Sequence, residues 1–288
     1  MIDLHTHTTI SDGIFTPQEL VERAIKRGIK VLCITDHNAV NTDLFKLREK
    51  YPCIELPSGC EFSCGYVTKS GRCVQLHIGG IGFDIADKEI NDIIRHNRAS
   101  MKPYAEKVLN KLKSECSIDL CTYEELLRRN SNSLTVGRKH IAVEMVRQGI
   151  CKDVDDAFDR FLGKGMPAFV SNAKYFAPFE RVVRAIVNAG GVASLCHLYQ
   201  YKLDEEDTKT LLLEFSQLTN GCGAIEVYYS SYDESRQNEL LNLSKSYKLL
   251  ASGGSDFHGD GKVKELSAYP YEIYAEIKKK IRDKACFD

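Results

Sequence analysis

The sequence has no CxxC pair, no sustained run of Lys or Arg, and no apolar run approaching the ~20 residues that cross a membrane as a helix. The first absence, with eleven cysteines scattered from Cys33 to Cys286, excludes a zinc ribbon and a regular disulfide framework. Reduced thiols are expected, several of them small apolar fillers, and Cys196 is assigned to packing although it adjoins His197. The second absence, with a formal net charge of −1, excludes a nucleic-acid protein that relies on a broad basic surface, while leaving room for a short or single-nucleotide ligand. The third goes with an opening Met1-Ile2-Asp3-Leu4-His5 that has no basic flank, apolar signal core or cleavage site, and points to a cytoplasmic protein with no membrane partner. Internal repeats, low-complexity tracts and Pro-rich or Gly/Ser-rich linkers are also missing, so nothing in the composition separates independent domains. A chain of 288 residues that is 43% hydrophobic is long enough for one large α/β core.

What is present is a series of short apolar runs bounded by turn residues with helical stretches between them, the pattern of βα units around a parallel sheet or barrel. The predicted strands are 2–5, 31–35, 54–57, 74–79, 191–195, 224–229 and 249–252. Thr16-Pro17-Gln18-Glu19 supplies an N-cap, a proline at the first helical position and a capping-box Glu, and Leu20, Val21, Ala24 and Ile25 give an apolar stripe before Gly28 stops the helix. From about Ile85 to Lys174 the periodicity becomes helical (Ile90, Ile93, Ile94; Ala105, Val108, Leu109, Leu112; Ala142, Val143, Val146) with few strand signals. The predicted organisation is a barrel built from 1–84 and 175–288, with a helical insertion, 85–174, lying over its mouth.

The chemically suggestive side chains fall at or just after the predicted strand ends: His5 and His7, Asp12 in the following loop, His37, Glu61, His77, His197, Asp256 and His258. In a βα barrel such positions share one mouth at the C-terminal edge. Two residues apart on a strand, His5 and His7 face the same side, as two ligands of one cation require. Each fragment alone is a weak signal, but six of the eight histidines at strand ends is hard to reconcile with scatter. Imidazoles and carboxylates without thiolates suit Zn, Mn or Fe and argue against a closed structural zinc site. Nine ligands exceed what one ion can use, so two to three divalent cations are expected, with Glu61 as the bridging carboxylate. Paired cations ~3.5–4 Å apart clamp the attacking and leaving oxygens of an in-line displacement and lower the pKa of bound water toward ~7, which is what phosphate ester hydrolysis needs.

The segments Asp3-Leu4-His5-Thr6-His7, Ser11-Asp12-Gly13, Ile34-Thr35-Asp36-His37-Asn38, Gly59-Cys60-Glu61 and Gly254-Ser255-Asp256-Phe257-His258-Gly259 resemble, in order and spacing, the motifs of the PHP (polymerase and histidinol phosphatase) family. With His77 and His197 the likeness covers essentially the whole chain. It implies a distorted (βα)7 TIM-like barrel, in agreement with the strand count. Val136-Gly137-Arg138-Lys139-His140-Ile141-Ala142 and residues 157–165 are similar to the branch that removes the 3′-phosphate from nucleoside 3′,5′-bisphosphates and trims 5′ ends of RNA. That branch usually has Pro where Lys139 stands and Ala-His-Pro where this chain reads Cys196-His197-Leu198. The resemblance implies one cation held by His5, His7, Glu61 and Asp256, a second by Glu61, His77 and His197, and a third by Asp12, His37 and His258.

The expected partner is therefore a small phosphorylated substrate, a nucleotide or the end of a short RNA, cleaved by a metal-activated hydroxide. Arg138 is the expected phosphate clamp, since a guanidinium binds phosphate oxygens bidentately. His140 is expected to donate to phosphate or to protonate the leaving oxygen, Asp36 to orient a ligand imidazole, and Lys174-Tyr175-Phe176 to offer a surface for a base. His96 reads as an exposed helical residue. The same-family rival is a histidinol-phosphate phosphatase, disfavoured by the size of the helical insertion. A metal-dependent amidohydrolase also opens with HxH, but would normally lack Asp12, the early His37 and the late Asp-Phe-His. A degenerate barrel kept for binding should have lost ligands, and none is missing.

Overall fold

The computed structural model describes residues 1–131 and 133–282. Helix α1 (Pro17–Lys26) begins as its sequence predicts: the Thr16 hydroxyl accepts from the Glu19 N–H, and Glu19 Oε2 accepts from the Thr16 N–H at 2.8 Å. Gly28 ends it at φ +73°, a conformation costly for residues with a Cβ. Leu20, Val21 and Ala24 form its buried face.

Seven strands are present among the described residues. β1 (Ile2–Thr6) and β2 (Val31–Ile34) pair in parallel, and helix α2 (Leu44–Lys50) follows β2. β3 (Gly59–Val67), β4 (Cys73–Ile81), β5 (Val192–Leu195), β6 (Gly223–Tyr229) and β7 (Leu250–Gly254) form a second sheet in chain order. Its last three strands are parallel, whereas β3 and β4 make an antiparallel hairpin and β4 runs antiparallel to β5. The fold is thus mixed α/β, and it departs from strict βα alternation at that hairpin. Bridges tie the two sheets together, His37 to Glu61 on one side and Thr6 to Phe257 on the other. Beside the second bridge the Asp256 N–H donates to His5 O at 2.8 Å. Gly254 permits this approach, because a Cβ there would stand 2.2 Å from His5 Cβ.

The third strand lies later than predicted. Residues 54–57 contribute one bridge, Val31 to Glu55, and regular pairing begins only at Gly59. Pro57 has no N–H to give a ladder, which cuts the apolar run short. β3 itself escapes a pattern search because both its faces are covered and it carries Gly59, Glu61, Ser63 and Gly65 among its apolar residues. It is held instead by continuous register with β4, from Gly59 opposite Ile81 to Val67 opposite Cys73.

After β4 comes α3 (Lys88–Cys116), then α4 (Tyr123–Arg129), α5 (Arg138–Arg147) and α6 (Val154–Ala157), which runs into a π turn at Phe158–Leu162. α7 (Phe179–Asn188), α8 (Glu205–Thr219) and α9 (Glu234–Ser246) precede β5, β6 and β7, and α10 (Tyr271–Lys278) follows them. α3 belongs to two cores. Ile90, Ile93 and Ile94 pack with the second sheet, whereas Tyr104, Ala105, Val108 and Leu112 join Leu126, Ile141, Met145 and Leu162 in a separate cluster. Val143, expected in the apolar stripe of α5, is 48% exposed; Ile141, Ala142 and Met145 form the buried face. At the seam, fully buried Asn97 donates to Asn38 Oδ1 and Ser63 O, both at 2.7 Å, and accepts from the Ala177 N–H at 2.8 Å. No helix among the described residues is long and apolar enough to cross a membrane.

Candidate metal centre

Glu61 is 1% exposed and faces five imidazoles directly. Its Oε1 lies 2.8 Å from His77 Nδ1 and 3.0 Å from His197 Nε2, while its Oε2 lies 2.9 Å from His37 Nδ1, 3.3 Å from His7 Nε2 and 3.4 Å from His5 Nε2. Asp256 Oδ1 adds contacts of 3.2 Å to His7 and 3.6 Å to both His5 and His258. Asp12 Oδ1 sits 3.3 Å from His258 Nε2, 3.8 Å from His7 Nδ1 and 3.9 Å from His37 Nε2. All nine residues singled out as ligands therefore meet in one place. Three sets bring their ligand atoms within 4.8 Å of one another: His5, His7 and Asp256; His37, Glu61 and His77; and His7, Asp12, His37 and His258. His7 and His37 each stand between two sets, a sharing that the carried-over assignment did not contain.

The route into the centre differs from the expectation for two of the nine. Glu61 is the third residue of β3 and His77 lies in the middle of β4, so neither sits at a strand end. The antiparallel hairpin brings them in sideways, with Ser63 opposite His77 and Glu61 opposite Gly79. His197 and Asp256, beyond the ends of β5 and β7, take left-handed φ of 31° and 56°, and Asn38 beside His37 takes 48°. Strained backbone of this kind persists where its surroundings over-determine it, typically at functional sites.

His5 Nε2, both ring nitrogens of His7, His37 Nδ1 and Glu61 Oε2 are buried without a hydrogen bond. Leaving so many polar atoms unpaired in one place is costly. Cations bound among them would take up the free lone pairs of His5, His37, Glu61 and one ring nitrogen of His7, so the residues fit the metal group their chemistry suggested. The charges agree. Burial opposes ionisation of Glu61, but His77, His37 and His5 outweigh it and hold the carboxyl well below its usual range. Burial likewise opposes the His7 imidazolium, yet the Asp256 and Glu61 carboxylates facing it draw its pKa up to about 10. His77 goes the other way, its pKa lowered because burial outweighs the pull of Glu61. Cys196 Sγ comes within reach of His5 and Glu61, but burial pushes the thiol up to about 12, and it points to Ser194 O at 3.6 Å.

A cavity of about 230 Å³ opens from the centre toward α5. Its lining combines His37, His77 and Asp12 with the apolar and aromatic side chains of Met101, Tyr104, Phe158 and Phe176. Arg138 reaches it with its guanidinium 5.8 and 5.6 Å from the ring centres of Phe158 and Phe169 and with Nη1 3.4 Å from Leu162 O. His140 Nδ1 accepts from the Gly137 N–H at 3.2 Å, so a neutral ring carries its proton on Nε2. Burial lowers the pKa of that ring and favours the neutral form. Of the expected base surface, Phe176 lines the cavity, Tyr175 packs edge-on against Tyr104, and Lys174 is exposed, as is His96.

Asp36 does not orient an imidazole. Its oxygens accept from Thr8 N at 2.8 Å, Thr8 Oγ1 at 2.6 Å, Ser11 Oγ at 2.7 Å and Ser11 N at 3.2 Å, fixing the loop that presents Asp12. The imidazoles are oriented by groups the sequence reading missed. Glu226 Oε1 lies 2.7 Å from His5 Nδ1 while its Oε2 accepts from the His197 N–H, also at 2.7 Å. Gln75 Nε2 lies 2.7 Å from His77 Nε2, and the Tyr229 hydroxyl donates to Asp256 Oδ2 at 2.9 Å. A visible signal existed for Glu226, a lone carboxylate inside Gly223–Tyr229. Gln75 and Tyr229 carried none.

Among curated proteins, the chain is 31% identical over 264 residues to a 3′,5′-nucleoside bisphosphate phosphatase of Chromobacterium violaceum, covering 90% of this chain and 88% of that one. It is 29% identical over 257 residues to a 5′-3′ exoribonuclease of Haemophilus influenzae, covering 89% of each. A solved chain from Chromobacterium violaceum, described as an amidohydrolase with bound sulfate and no metal, superposes with a TM-score of 0.77 at 28% identity over 96% of both chains. The family model described as the PHP domain matches residues 3–283, and the chain belongs to that family.

Proposed function

We propose that this protein is a metal-dependent phosphoesterase that hydrolyses a phosphomonoester of a small nucleotide, a nucleoside 3′,5′-bisphosphate, or of the end of a short RNA. The observation that carries the reading is the convergence of His5, His7, Asp12, His37, Glu61, His77, His197, Asp256 and His258 beside a cavity that also receives Arg138, Lys139 and His140. Two to three divalent ions, Mn, Zn or Fe, held by these side chains would supply Lewis acidity and an activated water. The bridges between the two sheets support a barrel-like closure that concentrates the ligands at one mouth, and the helical layer over it is read as a substrate cap.

The chain's own groups then divide the remaining work. Arg138, braced between two rings, presents a planar fork to phosphate oxygens. His140 offers its Nε2 proton as a hydrogen-bond donor. Glu226 and Gln75 hold the rings of His5 and His77 in one orientation, and Tyr229 turns the Asp256 carboxylate so that Oδ1 faces the centre. The apolar lining of the cavity, with Tyr104 and Phe176, is assigned to the sugar and base, and the relatives named for nucleotide and RNA substrates support that assignment.

The test is phosphate release by chelator-stripped protein reconstituted with Mn²⁺, over nucleoside 3′,5′-bisphosphates, mononucleotides, histidinol phosphate and short 5′-phosphorylated RNA, with amide substrates in parallel. Turnover led by the bisphosphate or the RNA end is expected. Preference for histidinol phosphate, or amide cleavage without phosphate release, would overturn the reading.

A further inference from the structure

Of the three carboxylates at the centre, Glu61 and Asp256 meet imidazoles, whereas Asp12 also pairs with an ammonium. Lys139, the second residue of α5, places Nζ 3.5 Å from Asp12 Oδ2 and donates to Asp12 O at 3.2 Å. Asp260 Oδ2 lies 3.0 Å from the same ammonium, on the loop after β7, so Lys139 is anchored from two sides. Its side chain is 26% exposed, half-buried against the corner formed by Asp12 and His258. No acidic residue stands in the first turn of α5, so the positive end of the helix and the Lys139 ammonium meet at this corner.

We propose that Lys139 makes the Asp12, His37 and His258 corner the weakest cation position of the centre, its ammonium supplying there the positive charge that a third ion would otherwise bring. The inference rests on the metal reading given above and adds to it a ranking among positions. Asp12 divides its negative charge between the imidazoles on Oδ1 and the ammonium on Oδ2. A divalent ion arriving at Oδ1 meets a carboxylate already half neutralised, and is repelled by an ammonium within a few ångströms, a repulsion that the Asp260 carboxylate on its far side offsets in part. Even at the dielectric of water, a unit charge against a dication at about 5 Å is equivalent to roughly tenfold or more in affinity. Glu61 and Asp256 carry no such opposition, so the positions they serve fill first.

The decisive measurement is the ion content of the full-length protein after stripping, reconstitution with Mn²⁺ and gel filtration, with calorimetric titration for the affinity of the last ion. Three proteins are compared: wild type, Lys139→Met, which keeps the length of the side chain and loses its charge, and Lys139→Arg, which keeps the charge. Wild type and Lys139→Arg are expected to retain two ions and Lys139→Met three, its last ion bound at least about tenfold more tightly. A purely structural tie from α5 to the loops predicts the opposite, loosened binding in Lys139→Met, and melting curves establish that each variant is folded. Three ions in wild type, or two in Lys139→Met, would overturn the inference while leaving the metal reading intact. Fewer than two ions in all three proteins would instead sink the metal reading and this inference with it.

Discussion

At the scale of single residues, the proposed centre is built as much from side chains that orient the candidate ligands as from the candidate ligands themselves. Glu226 is 2% exposed and spans two strands' contributions, since one oxygen meets His5 Nδ1 and the other accepts the His197 N–H. Glu226→Gln keeps the shape but removes the charge, and is expected to weaken Mn²⁺ binding by about 10–100-fold, with activity returning at saturating metal; unchanged affinity in a metal titration would remove Glu226 from this role. Asp256→Ala should abolish turnover whereas Cys196→Ala, a buried thiol kept protonated, should retain most of it, and equal losses in kcat would reverse that division. Arg138→Ala removes a charge-assisted contact of roughly 1.5–3 kcal/mol, about one to two decades in kcat/KM, and Arg138→Lys should restore only part of it. The loss should be larger on a nucleoside 3′,5′-bisphosphate than on p-nitrophenyl phosphate if Arg138 holds the phosphate that is not cleaved. Equal losses on both would move it to the reacting group.

The elements that deliver these residues were legible to different degrees. α1 could be read off from Thr16, Pro17, Glu19 and Gly28 because capping is local chemistry. β3 could not, because its pairing partner is another segment and its two covered faces erase the alternation that marks a half-buried strand. The helical layer hides a different feature. Glu144 of α5 is buried, accepts from Arg147 Nε at 2.8 Å, Arg147 Nη2 at 2.6 Å and Gln148 Nε2 at 2.7 Å, and pairs with Arg129 at the end of α4. Its hydrogen bonds to Arg147, working against desolvation, lower the carboxyl from 4.5 to about 2. A carboxyl whose folded pKa is depressed contributes stability above its unfolded value, about 4.5, and that contribution is lost as pH falls toward about 2. The melting temperature of Glu144→Gln should therefore lie below wild type at pH 7, with the gap closing as pH falls from about 4.5 to about 2. A gap independent of pH would mean the ionised carboxylate is not what joins α4 to α5.

For the molecule as a whole, the buried unpaired nitrogens and oxygens around Glu61 lead to the prediction that folding is coupled to metal. An ion that binds the folded state at about 100 times its dissociation constant adds roughly 2.7 kcal/mol. Wild-type protein is expected to carry at least two ions, to melt at a lower temperature after chelation, and to recover both melting temperature and activity with Mn²⁺. A melting curve indifferent to chelator would contradict this coupling. The candidate ligands were available from the linear chain, because metal chemistry is selective for residue type: few side chains other than His, Asp and Glu can do this work, and their presence in His5-Thr6-His7, Asp36-His37 and Asp256-Phe257-His258 survives in one dimension. Partnership was not. Whether Asp36 turns toward an imidazole or toward Thr8 and Ser11, which carboxylate steadies His5, and that Lys139 comes to rest on Asp12 are set by distances between segments far apart in the chain. Hydrogen bonds and ion pairs depend on separations of a few ångströms, and only the packing of α5 and the sheets against one another brings those atoms that close.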